Sequence, residues 1–197
     1  MQKAIFNIQN ETDFKRCALQ VFKHQFENNR VYRSFCDLLY IHPSEVKEVA
    51  QIPFLPIQFF KTHQVLSTNQ SVQETFSSSG TTGAQVSRHL VTDLSWYKTS
   101  YTKAFEHFYG PIEEFTVLGL LPNYLEREGS SLIYMVNDFI HKSNKPKSGF
   151  YLDNLSELSK TLIALDQQGE KVLLIGVTFA LLDLIESQSF SLKNTVI

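Results

Sequence analysis

The chain has 197 residues, 43% hydrophobic and 19% charged, with 16 Phe and 8 Tyr; so much apolar surface predicts a packed core and excludes wholesale disorder. A formal net charge of −2 leaves no broad cationic face for a nucleic-acid backbone, so DNA and RNA are excluded as first partners. The longest apolar run, Val172 to Leu182, is far short of the roughly 20 residues of a membrane span, and the amino terminus lacks the apolar stretch of a secretory signal, so a cytoplasmic protein with no membrane span is expected.

In chain order, Phe14, Cys17, Ala18, Val21, Phe22 and Phe26 recur at helical spacing behind Asn10 or Thr12 as the cap. Val31, Tyr32, Phe35, Leu38 and Leu39 repeat the pattern after Asn28-Asn29, which predicts a helical hairpin. Pro43 in His42-Pro43-Ser44-Glu45 marks a restart and predicts a short helix toward Val49. Ile52 to Phe60 carries Pro53 and Pro56 inside a dense apolar run, which predicts an extended, buried connector, and Val65-Leu66-Ser67 reads as a short strand. The two cysteines, Cys17 and Cys36, fall on helical segments and read as small buried hydrophobes rather than a disulfide or metal pair, in keeping with a reducing cytosol.

Beyond residue 86, Ser87 to Thr92 is expected to be extended, and Asp93 to cap a helix with Tyr97, Tyr101, Ala104, Phe105 and Phe108 on one face, stopped by Gly110-Pro111. Phe115 to Leu121 has the continuous apolar character of a strand buried on both faces. A helix from Ser130 or Ser131 through Phe139, a lysine-rich loop at 141–148, a short strand at 150–152, a helix from Leu155 to Leu165, a strand from Val172 to Val177 and a helix from Phe179 to Glu186 follow. That alternation predicts a mostly parallel α/β sheet with flanking helices behind an amino-terminal helical segment, divided as 1–70 and 71–197. In such sheets ligands collect beyond the carboxyl ends of the strands, where Leu121 to Tyr124 and Gly176 to Thr178 fall. No Cys/His cluster has zinc spacing, and His89 and His107 read as structural or surface residues, so no metal ligand and no catalytic residue is assigned.

One stretch resists a packing explanation. Phe76-Ser77-Ser78-Ser79-Gly80-Thr81-Thr82-Gly83 crowds hydroxyls and two glycines together without a charge. Glycines let a backbone approach a ligand closely, and successive N–H groups with hydroxyls can wrap a phosphate; a polar surface turn has the same composition. No lysine follows Gly83, so the stretch is not a P-loop, and Phe76 stands where a serine-hydrolase elbow needs its first glycine.

Ser77 to Gly83 resembles the phosphate-binding loop of the adenylate-forming (ANL) superfamily. With Asn29 to Cys36, Ile52 to Lys61 and Leu121 to Ser131, it makes nearly the whole chain resemble the acyl-protein synthetase family, the LuxE-like proteins related to the fatty-acid-activating subunit of the bacterial luminescence reductase. The resemblance implies that ATP and a carboxylic, chiefly fatty, acid give an acyl-adenylate and pyrophosphate, with transfer to a thiol acceptor on a protein or coenzyme A. It implies that Ser78, Ser79, Gly80, Thr81, Thr82 and Gly83 hold the ATP phosphates with Mg2+ sharing their charge, that Asn123 and Tyr124 edge the acyl pocket, and that Gly176, Val177 and Thr178 line its wall. The superfamily loop continues with a Pro-Lys-Gly-like tail; Ala84 to Arg88 stands there instead, and Arg88 is the expected substitute for the lysine.

The family's later motifs would lie beyond Ile197, so the chain is expected to be the amino-terminal part of a longer synthetase, its sheet resembling an incomplete large domain, inactive alone and with an exposed edge that invites a homo-oligomer. Two other readings stay open: a nucleotide-binding or regulatory module without catalysis, and a structural domain whose Ser/Thr stretch is only a turn.

Overall fold

The computed structural model describes residues 2–78, 85–121, 129–152 and 154–197. The chain forms two compact units, Met1–Asp93 and Leu94–Ile197.

The first unit opens with α1 (Gln2–Ile5) and the helical hairpin α2 (Glu11–Asn28) and α3 (Arg30–Leu38). Asn10 starts α2 because its side-chain oxygen accepts the Asp13 N–H at 2.9 Å. Asn29 does the same for α3, accepting the Tyr32 N–H at 3.1 Å, so one buried asparagine both ends α2 and begins α3. The facing sides bury Phe22, Phe26, Tyr32 and Cys36 together with Val46. Cys17 and Cys36 are free and buried, and burial pushes the Cys36 thiol above its ordinary range, which keeps it protonated and unreactive.

The segment after the hairpin departs from the sequence expectation in three places. Pro43 starts a turn, not a helix, and the only helical piece before the connector is a 3-10 turn at Val49–Gln51, boxed by the Glu48 and Gln51 side chains. The connector is extended only as far as Pro56, where the chain enters the short helix α4 (Phe59–Thr62). Nor is the connector buried: Phe54 is 79% exposed and Ile57 68%. Val65-Leu66-Ser67 forms no strand, since three residues with no partner strand have no ladder to join. Among the described residues of this unit the sheet is the antiparallel pair β1 (Glu74–Ser77) and β2 (Arg88–Val91), with Ser77 opposite Arg88 and Phe76 opposite His89.

The second unit is the α/β sheet the alternation predicts. Its elements are α5 (Leu94–Tyr109), β3 (Thr116–Leu120), α6 (Ser131–Ser143), β4 (Gly149–Phe150), α7 (Leu155–Gln167), β5 (Val172–Gly176), α8 (Thr178–Ser187) and β6 (Thr195–Val196). The strands lie in the order β4-β3-β5-β6, all parallel, with β3 and β5 central.

Period-two alternation divides the burial. Leu118, Leu120, Val172 and Leu174 face Leu158, Leu162, Ala180 and Leu184 of α7 and α8, while Val117 and Leu173 meet Tyr101, Phe105 and Phe139 of α5 and α6. On α5 the expected apolar face is narrower than the sequence implies: Phe108 is 75% exposed and Ala104 is also exposed. Gly119 is required by close approach, since a Cβ there would sit 2.8 Å from Phe150 Cδ1 and 3.2 Å from Val136 Cγ1. Ser130 caps α6, accepting the Ile133 N–H at 3.3 Å, and Asn144 ends it in the left-handed conformation at φ 50°.

At the sheet edge, Asp166 near the end of α7 clasps β6. Its carboxylate accepts the Lys193 and Asn194 N–H groups at 3.0 and 2.8 Å and the Thr195 hydroxyl at 3.0 Å. Those bonds, led by the Asn194 and Lys193 amides, hold its carboxyl below the usual carboxylate range. Across the sheet, burial alone would push Asp138 of α6 up, but the Lys142 ammonium at 2.8 Å, the Tyr101 hydroxyl and the Lys98 charge prevail and hold it below the usual range.

Candidate functional site

The hydroxyl-rich stretch begins on β1, with Phe76 and Ser77, and enters the connection from β1 to β2 at Ser78. Its neck is closed by one pair of serines: the Ser78 N–H donates to the Ser87 carbonyl at 3.0 Å, and the Ser87 N–H donates to Ser78 Oγ at 3.1 Å. Ser78 therefore fixes the mouth of the loop with its backbone and its side chain together. The outgoing arm is tied to α4, because Gln85 Nε2 donates to the Lys61 carbonyl at 2.7 Å. Arg88 is exposed at the base of the hairpin, opposite Ser77, and carries no ion pair among the described residues. Its neighbour His89 stacks on Phe60 of α4, with ring centroids 5.9 Å apart and planes 20° apart. Ser79, Gly80, Thr81, Thr82 and Gly83 lie outside the described residues, and so do Asn123 and Tyr124.

Gly176, Val177 and Thr178 come at the carboxyl end of β5 and the start of α8. Gly176 lies beside Leu120 of β3, and a Cβ on it would sit 2.8 Å from Leu181 Cγ and 3.2 Å from the Leu120 carbonyl oxygen. Leu181 thus occupies the space against the glycine, Val177 packs on the sheet core, and Thr178 is exposed.

Sequence reasoning missed a cavity of about 620 Å³ inside the first unit. Its wall draws on α2 (Cys17, Ala18, Val21), the connector (Phe54), the segment 65–68 and β2 (His89, Leu90). Polar groups in the wall bond mainly to one another. Asn29 Nδ2 donates to Gln25 Oε1 at 3.3 Å and to Ser67 Oγ at 3.4 Å, the Ser67 hydroxyl bonds Gln25 Oε1, and the Tyr32 hydroxyl donates to the Pro53 carbonyl at 2.7 Å. Burial, with Cys36 alongside, pushes the Tyr32 phenol above its ordinary range, so it remains a neutral donor. No window of sequence could have shown this space, whose wall comes from stretches spread over most of the unit.

The model of the family described as acyl-protein synthetase, LuxE, matches residues 4–194. The chain belongs to the LuxE acyl-protein synthetase family. Among curated proteins, the LuxE-family chain is similar to a long-chain-fatty-acid–luciferin-component ligase of Photorhabdus luminescens, 31% identical over 70 residues. That match covers 35% of the chain and 60% of the relative's length. No solved structure matches. Among the described residues no group of three His, Cys, Asp or Glu side chains could hold a metal ion, and no helix is long and apolar enough to cross a membrane.

Proposed function

We propose that this LuxE-family chain takes part in the ATP-dependent activation of a fatty acid, which leaves as an acyl group on a thiol acceptor. The observation that carries the reading is the family match over residues 4–194; the Photorhabdus luminescens relative, named as a long-chain-fatty-acid ligase, supports the substrate class. The hairpin loop supports ATP as the co-substrate. Its described neck is pinned by Ser78 and Ser87, and the exposed Arg88 guanidinium at the base of the hairpin is the cation for phosphate oxygens.

In this reading the fatty carboxylate attacks the α-phosphorus of ATP, the bond to the β-phosphate oxygen breaks, and pyrophosphate leaves. Ser78 to Gly83 and Arg88 hold the leaving phosphates, which stabilises the charge that builds on them. Magnesium, when bound, neutralises phosphate charge. It fits here as the nucleotide's own companion rather than as a metal held by a protein carboxylate cluster, none of which occurs among the described residues. The thiol sulfur of the acceptor then attacks the acyl carbonyl carbon, the bond to the adenylate oxygen breaks, and AMP leaves as the thioester forms. Cys36 is poorly suited to accept the acyl group, being buried with its thiol pushed up.

The test is exchange of labelled pyrophosphate into ATP in the presence of magnesium and a long-chain fatty acid. Exchange that needs the acid and is lost in Thr81→Val with Gly83→Ala supports the reading. Exchange untouched by that double substitution would overturn the role of the loop, and tight ATP binding without exchange would favour a nucleotide-binding module.

A further inference from the structure

We propose that the 620 Å³ cavity of the first unit is the binding site for the hydrocarbon tail of a long-chain acyl substrate, an assignment that rests on the fatty-acid reading above. The space is a cleft open to solvent on one side, where Phe54 is 79% exposed, and its volume of about 620 Å³ falls within the roughly 300–1,000 Å³ of small-molecule sites. Its chemistry selects the occupant. Among the described residues no Lys, Arg, Asp or Glu lines it, so a carboxylate or phosphate drawn inside would find no counter-charge among them. Asn29, Gln25, Ser67 and Tyr32 are already committed to one another or to backbone, which leaves few groups to recognise a sugar or a nucleobase. A saturated chain needs none.

Position supports the same occupant. Leu90 and His89 of β2 line the cavity, and the next residue back along that strand, Arg88, pairs with Ser77 at the base of the hairpin loop. Phe60 of α4 lines it too, and the following residue, Lys61, holds Gln85 of the loop's outgoing arm. A tail in the cavity with its carboxyl end toward β2 therefore ends toward the base of the hairpin, where Ser77 stands opposite Arg88. At Gly176 the matching space is taken by Leu181.

The experiment uses the whole chain with a long-chain fatty acid bearing a diazirine near its methyl end, followed by peptide mapping of the photoproduct, and a binding series from octanoic to hexadecanoic acid. Labels are expected within residues 14–25, 52–55 or 65–68, and the dissociation constant should tighten about fourfold per added methylene until the cavity is filled. Ala18→Phe, which fills the wall from α2, should weaken binding by about tenfold or more with thermal unfolding unchanged. Labels confined to residues 94–197, a flat chain-length series, or a folded Ala18→Phe that binds as tightly as the parent would each overturn the assignment. Should Ala18→Phe fail to fold, the mapping and the series decide by themselves. Pyrophosphate exchange separates the two ideas: labels in the cavity without exchange leave the tail site standing and remove the activation reading, and exchange with labels elsewhere does the reverse.

Discussion

The two units solve opposite problems with similar amino acids. In the second, β3 and β5 are covered on both faces, and Val117, Leu118, Leu120, Val172 and Leu174 are essentially sealed from water. In the first, a similarly aromatic sequence packs one tight helical hairpin and then spends residues 40–73 on chain that is irregular apart from the 3-10 turn at Val49–Gln51 and the single turn of α4, leaving Phe54 and Ile57 in solvent and a large cleft against α2. Apolar content therefore does not decide how tightly a region closes. A parallel sheet with helices on both sides satisfies its backbone internally and lets side chains interdigitate, while a long proline-bearing connector cannot. The difference leaves one unit sealed around its sheet and an open space in the other.

The sharpest way to break this contrast is to truncate a side chain in each unit. Leu118→Ala should cost about 2–5 kcal/mol in urea unfolding followed by circular dichroism, as expected for a fully buried leucine. Val21→Ala, which only enlarges an existing space, should cost less than about 1 kcal/mol because that side chain already lacks neighbours on one side. Equal losses would mean the cavity wall is as tightly packed as the sheet. Overpacking gives the next largest effect. Gly119→Ala should lose about 1–3 kcal/mol in the same assay, since the new methyl must displace the Phe150 ring or Val136.

A smaller change is expected at the hairpin. Ser78→Ala removes the acceptor of the Ser87 N–H and should cost about 0.5–1.5 kcal/mol, with loss of affinity for ATP in calorimetry exceeding what so small a change in stability would bring. The last effect is local and depends on pH. The folded-state pKa of Asp166 is lowered, so its clasp contributes above the unfolded carboxylate pKa of about 3.9 and is lost as pH falls through the lower native value. Amide exchange at Lys193, Asn194 and Thr195 should therefore accelerate, beyond its intrinsic pH trend, as pH drops below about 4. Asp166→Asn should exchange fast throughout and lack that transition.

How much of this was legible beforehand follows from local chemistry. Asn10 and Ser130 announced their caps, and Phe115 to Leu121 and Val172 to Val177 announced the central strands, because side-chain capping and double-sided burial write themselves into adjacent residues. β1 was not legible: Glu74 to Ser77 carries Phe76 as its one large apolar residue, and it becomes a strand through pairing with β2. The helix α4 was hidden behind Pro53 and Pro56, which govern the chain before them and do not forbid a helix once Pro56 has been passed. For the candidate site, the loop stood out by composition and the structure shows its neck at Ser78, whereas the cleft against α2 depends on distant segments meeting and has no signature in any of them.

The grip of Asp166 on two successive amides also sets the register of the outermost strand. Sliding β6 by one position would turn Val196, which packs toward the side of Tyr101 and Phe139, to the opposite face, and would offer the carboxylate a different set of donors. The edge is thus keyed rather than merely glued, because a single register gives Asp166 both successive amides and the Thr195 hydroxyl.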